Sequence, residues 1–238
     1  MQIKYIVFDL DETLGNFIQL GIFIDSLEKI LGYKLNQQQF NEICMMFPNF
    51  FRPELFRLFH RVLQKKQNNT KIIIYTNNNG EKDWTIKIAT FIETILNAKI
   101  FDQIIGCYKT SEGKQIEANR TTYHKTPKDL RKCLGCDNTA KFIFFDDQQH
   151  PYMVDNTITY IRLKPYIYVY NFMYMTDLFL ISPLANNMQI INAPIFKSIL
   201  LFHMNKYNYQ EKYPTKQMLE IDRIITMQMY KDINKFLQ

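Results

Sequence analysis

The chain has 238 residues and a mass of 28.6 kDa, which suits one α/β domain carrying an extension. Hydrophobic residues make up 47%, enough to bury a full core, and this excludes disorder of the whole chain. The formal charge of +6 is uneven: residues 1–50 hold 3 Lys and Arg against 6 Asp and Glu, residues 51–141 hold 17 against 9, and the middle of the chain therefore suits an anionic substrate or partner.

Lys4 and Asp9 interrupt any early apolar run, so no secretory leader is expected. No stretch that is both uncharged and predominantly apolar reaches the roughly 18 residues a membrane helix needs. An intracellular, reducing setting without membrane contact is the expectation for the four cysteines. Cys133 and Cys136 form a C-x-x-C; a zinc site needs a second pair and the sequence has none, which leaves buried or incidental thiols, with a redox pair as the alternative.

Ile3 to Phe8 is a short apolar run that predicts a first strand, ending at Asp9-Leu10-Asp11-Glu12-Thr13. Apolar spacing predicts a helix over 18–32, and Pro53 is placed to open another that runs to about Lys65. Lys71 to Tyr75 predicts a second strand, which runs into Thr76-Asn77-Asn78-Asn79-Gly80. A helix follows from Asp83 to about Leu96, and Gln103 to Tyr108 predicts a third strand. Thr126-Pro127 is a helix start, and that helix ends near Gly135. Lys141 to Phe145 predicts a fourth strand, closed by Asp146-Asp147, and Thr157 to Leu163 a fifth. Residues 169–238 are rich in Met, Tyr, Phe and Asn and helix-like from Lys216 to Leu237.

Strands alternating with helices predict a Rossmann-like α/β fold, with a parallel sheet of about five strands covered by helices on both faces. Residues 1–168 form the core in this reading, and 169–238 a mainly helical extension packed on the core or on a partner. Such sheets bind ligands at the carboxyl ends of their strands, where Asp9, Asp11, Thr76, Asp146 and Asp147 all fall. Asp9 and Asp11 are two crowded carboxylates that repel unless a cation joins them. With Mg²⁺ one of them can attack phosphorus while the other handles the proton. An acidic turn or a helix cap is the plainer alternative; an EF-hand loop is excluded because its sixth position is Leu14 and not Gly. Thr76 and the backbone N–H groups after it can hold a phosphoryl oxygen.

Taken in order, strand–DLDETL, strand–YTNN, a lysine at a helix start and strand–DD resemble the haloacid dehalogenase (HAD) superfamily. Within it the sequence is most similar to the phosphatases of the RNA polymerase II C-terminal domain, the FCP/SCP or NLI-interacting-factor-like group. Arg52-Pro53-x-Leu55 matches that group's RP-x-L, while TNNNGEKDW and FFDDQQHPYM resemble a divergent branch associated with large DNA viruses and some protists. The resemblance covers about residues 3–165.

The resemblance implies a magnesium-dependent phosphatase. Asp9 is its nucleophile, Asp11 its general acid and base, and Thr76, Asn77 and a lysine its phosphate ligands. Asp9, the backbone carbonyl of Asp11 and an acidic residue of the last motif bind Mg²⁺, with Asp147 preferred and Asp146 the fallback. Lys125 and Lys128 both flank the helix start; Lys128-Asp129-Leu130 resembles the group's K-D-L, but spacing to Asp146 favours Lys125. About 55 residues separate the first motif from the second strand, too few beside the helix after Pro53 for a large cap, so an open site is expected. The expected substrate is a phosphoserine or phosphothreonine protein; the alternatives are a nucleotide or nucleic-acid end, or a non-catalytic binding module. His150 is placed either to touch substrate or to shape its turn, Trp84 to pack a helix on the core, and Arg120, Arg131 and Lys132 to guide an anion or form surface ion pairs.

Overall fold

The computed structural model describes residues 2–80 and 83–238, so Glu81 and Lys82 of the TNNNGEKDW motif lie outside the described residues. Its strands are β1 (Lys4–Phe8), β2 (Thr70–Tyr75), β3 (Gln103–Ile105), β4 (Lys141–Asp146) and β5 (Ile158–Arg162). They form one parallel sheet in the order β3-β2-β1-β4-β5. The chain winds outward from β1 through β2 to β3, then returns to β4 on the other side of β1. The carboxyl ends of β1 and β4 thus flank the point where the winding reverses, the usual ligand crevice of such sheets.

The strands are apolar because both faces are covered. Ile6, Phe8, Ile72, Ile74, Ile143 and Phe145 point into the larger core cluster. Their alternating neighbours Tyr5, Val7, Ile73, Tyr75, Phe142 and Phe144 point into a second cluster on the opposite face. The larger cluster is built with α1 (Ile18–Leu31), α2 (Gln37–Met46), α3 (Leu55–Lys65) and α4 (Trp84–Leu96). The smaller is closed by α5 (Pro127–Leu134) through Leu130 and Cys133. The parallel α/β sheet with helices on both faces is therefore as predicted. Phe8, Phe145 and Phe59 are wholly buried and their rings touch, each such burial contributing about 2 kcal/mol.

Beyond β5 the chain forms α6 (Phe172–Leu180), α7 (Pro183–Asn187), α8 (Ala193–Asn205) and α9 (Lys216–Leu237). Met175, Phe179, Leu200, Met204, Met229 and Ile233 from these helices are buried in the same large cluster as β1. Among the described residues no helix is long and apolar enough to cross a membrane.

Two boundaries differ from expectation. Pro53 does not open α3: the next residue, Glu54, is left-handed (φ 64°), so the helix begins at Leu55. The third strand stops at Ile105 and not at Tyr108, where the chain turns away and Gly106 gives its carbonyl to Arg120.

Candidate active site

The turn after β1 is fixed from below. Asp9 N donates to Phe145 O at the end of β4, and Glu12, left-handed at φ 57°, donates to Gly15 O. Gly15 sits against backbone: a Cβ there would lie 2.3 Å from Phe50 O, so no side chain fits. Arg52, wholly buried, donates from Nε to Thr13 O (2.7 Å) and from Nη2 to Glu12 O (2.7 Å) and Lys164 O (2.9 Å). The RP-x-L arginine is thus the clamp that shapes the acidic turn.

The expected carboxylates converge. Asp9, Asp146 and Asp147 are buried, and one ligand oxygen from each lies within 4.8 Å of the others. Lys125, also buried, bridges Asp9 Oδ1 (2.5 Å) and Asp146 Oδ2 (2.7 Å). Lys128 is exposed on α5 and lines a separate surface hollow, so of the two candidate lysines the fold brings Lys125 alone to the carboxylates. Thr126 caps α5, its Oγ1 accepting from Asp129 N, and this places Lys125 at the helix entrance and pointing back across the strand ends.

The remaining expected residues line the same cleft. Asp11 Oδ2 accepts from Asn78 Nδ2 (2.7 Å), and its side chain stands outside the three-carboxylate cluster. Thr76 Oγ1 accepts from Asn78 N (2.9 Å), leaving its hydroxyl proton free to donate to a ligand. Thr13 Oγ1 meets Asp147 through both the backbone N (3.1 Å) and Oδ1 (3.4 Å). His150 Nε2 stands 3.3 Å from Asp146 Oδ2, so it faces the site as well as shaping its turn.

Burial raises the Asp9 carboxyl, Asp146 adds to the rise, and Lys125 opposes it. Asp146 is also pushed up by burial, but Lys125 and His150 outweigh that and hold it below the usual carboxylate range. Asp11 is raised by burial against the Asn78 amide, and Asp147 by burial and the neighbouring Asp146. Among the described residues, three carboxylates face one ammonium and leave an excess of negative charge in a nearly dry site. An all-oxygen donor set with that excess fits a hard divalent cation such as Mg²⁺.

Arg120 corrects the expectation of a surface guide for anions. It is buried, with Nη1 donating to Thr76 O (3.0 Å) and Gly106 O (2.9 Å) and Nη2 to Asn77 Oδ1 (2.7 Å) and Tyr123 O (3.1 Å). It ties the end of β2 to the loop that delivers Lys125. Arg131 is likewise committed, to Asp155 and Thr157, while Lys132 is exposed. Cys133 and Cys136 are free thiols whose acidity is lowered by burial, which does not suit a reactive pair.

The site opens into a cleft of about 570 Å³ that is also lined by residues of α1, α2 and α4. Trp84 is one of these, edge-on to Phe40.

No protein-family model matches the chain, and neither does any curated protein. Among solved structures it is similar to a HAD-superfamily hydrolase, subfamily IA, variant 1, from Geobacter sulfurreducens. The identity is 12% and the TM-score 0.35, over 62% of this chain and 81% of that one. A likeness at that level carries no chemistry across, and the site stands on its own geometry.

Proposed function

We propose that this chain is a Mg²⁺-dependent phosphomonoester hydrolase that works through an aspartyl-phosphate on Asp9. The observation that carries the reading is the Lys125 ammonium held between Asp9 and Asp146, with Asp147 completing an all-oxygen cluster at the winding reversal of the sheet. Asp9 and Asp147, with the Asp11 carbonyl and Asp146, are the residues to hold the ion, which when bound offsets charge on the phosphoryl oxygens. Asp9 Oδ attacks phosphorus and the bond to the leaving oxygen breaks, with Asp11 giving that oxygen its proton. Water then attacks the aspartyl-phosphate, Asp11 takes its proton, and phosphate leaves with Asp9 restored. Thr76, Asn77 and Lys125 hold the phosphoryl oxygens throughout. The resemblance to the FCP/SCP group supports a phosphoserine or phosphothreonine protein as substrate and an intracellular setting. We assign residues 1–168 as the catalytic core and 169–238 as an extension packed on it.

The cleft favours the second reading, a small phosphomonoester of nucleotide size, because its volume falls in the range of small-molecule sites. The test is hydrolysis of 4-nitrophenyl phosphate with Mg²⁺. Activity is expected to stop with EDTA and return with Mg²⁺. Full turnover in metal-free buffer contradicts the reading, and a folded protein that neither binds Mg²⁺ nor turns over is a binding module.

A further inference from the structure

The turn after β4 and the entrance to α5 give the rim of the site two exposed aromatic rings. His124 stands next to Lys125 in the chain and is exposed, and its ring meets that of Tyr152 at 5.1 Å. Tyr152 comes two residues after His150, which faces Asp146, and is 62% exposed. A second pair lies beside the first: Tyr123, 53% exposed, meets Tyr108 at 5.4 Å, and Lys109 Nζ stands 4.8 Å from the centre of the Tyr108 ring. Both pairs meet edge-on, at 67° and 80°, so each contact leaves at least one face of each ring uncovered.

The turn that carries Tyr152 continues to Val154 and Asp155, which line the hollow on α5 together with Lys128, Arg131 and Lys132. Asp155 holds Arg131 at 3.1 Å, so the exposed Lys128 and Lys132 give the hollow a positive surplus among the described residues. Exposed rings accept bases by stacking whatever the sequence, and cations beside them meet a phosphodiester backbone. An acidic peptide would use the lysines and leave the rings without partners.

Resting on the phosphomonoesterase reading, we propose that the surface from His124 and Tyr152 to the α5 hollow is a docking site for single-stranded nucleic acid whose terminal phosphomonoester enters at Asp9. The end nucleotide stacks at Tyr152, and the backbone beyond it passes to Lys128 and Lys132. A duplex, its bases already stacked on one another, offers Tyr152 no free face.

The test compares an oligothymidylate of about 16 residues, phosphorylated at its 5′ or its 3′ end, with the matching thymidine monophosphate, which carries the same ester without the strand. For the better end, a kcat/KM about tenfold in favour of the strand is expected at low salt. Tyr152→Ala, and Lys128→Ala with Lys132→Ala, should each remove most of that preference. Both should leave turnover of 4-nitrophenyl phosphate within about twofold of the parent. A strand no better than the mononucleotide, or a preference unchanged in either variant, overturns the docking site and leaves the phosphatase reading standing. Equal use of the strand annealed to its complement overturns it too, as does a phosphoseryl peptide with acidic flanks preferred over the strand. Binding separates the two readings. The same strand, carrying fluorescein at its far end, should bind the Asp9→Asn protein saturably with Mg²⁺ by fluorescence anisotropy. Tyr152→Ala in that background should weaken binding about tenfold, and the two lysine substitutions should flatten its dependence on KCl. Such binding in a protein whose unaltered form hydrolyses no ester supports the docking site and removes the hydrolytic reading. Absence of binding overturns the docking site.

Discussion

Arg52 Nη1 faces Asp222 Oδ1 at 3.6 Å, both side chains buried, and through this pair α9 supports the arginine that clamps the carbonyls of Glu12 and Thr13. The pair is imperfect, since among the described residues Arg52 Nη1 and Asp222 Oδ2 have no hydrogen-bond partner, although Lys164 also reaches Asp222 at 3.1 Å. Removing one partner leaves a buried charge. Asp222→Ala is expected to cost about 3 kcal/mol in urea unfolding. Replacing both, as Arg52→Met with Asp222→Leu, should return only part of that stability, because the carbonyls of Glu12, Thr13 and Lys164 then lose their buried donor. It should not return kcat, because the clamp on the acidic turn is gone. Equal recovery of stability and kcat would show that the pair serves packing alone.

The acidic turn depends on a close approach that only glycine permits. Gly15→Ala sets a Cβ against the Phe50 carbonyl and the Phe17 ring. A loss of about 1–3 kcal/mol is expected from thermal unfolding, with a fall in kcat. A variant as stable and active as the parent would mean that the loop shifts without consequence.

Lys125 and Lys128 lie three residues apart and should behave oppositely. Lys125→Met leaves Asp9 and Asp146 facing each other without their ammonium, and kcat for an aryl phosphate is expected to fall by about 10² or more. Lys128→Ala on the exposed side of α5 should stay within about twofold of the parent. Thermal transitions of both variants check that each is folded. A reversed pattern would move the role to Lys128.

Arg120 touches four acceptors and no reacting atom, so its effect is one of position. Arg120→Lys keeps the charge but cannot span Thr76, Gly106, Asn77 and Tyr123 together. A fall in kcat with a smaller change in KM is expected, since the phosphate-binding turn and the Lys125 loop both lose their shared tie. Parent-like kcat in this variant would reduce Arg120 to a core residue.

Much of this arrangement is legible in the sequence. Ile6 to Phe8, Ile72 to Tyr75 and Phe142 to Phe145 are unbroken buried runs because parallel strands are covered on both faces, and each stops where its functional residue begins. Thr126, Pro127 and Gly135 mark α5 at both ends as their cap roles dictate. What escaped has physical reasons. α2 opens on three glutamines and is polar at half of its positions, although Asn36 and Gln39 form a capping box that could have announced it. The left-handed Glu54 delays α3 past Pro53, and local sequence does not dictate that conformation. Arg120 looks like a surface cation because three of its four acceptors, on Thr76, Asn77 and Gly106, come from other segments, which only the fold brings together. The lining of the cleft was missed for the same reason: Gly21 and Trp84 belong to different helices and meet only when α1 and α4 pack.

The central claim is that Asp9 carries the phosphoryl group. The Asp11→Asn protein, given 4-nitrophenyl phosphate and Mg²⁺, should accumulate the aspartyl-phosphate, because a good leaving group departs without a proton while the attacking water still needs a base. Acid quenching, borohydride reduction and peptide mass spectrometry should then find homoserine where Asp9 stood, and none in a control lacking substrate. A catalytically active protein with Asp9 unmodified under these conditions, together with undiminished turnover by Asp9→Asn, would contradict the account.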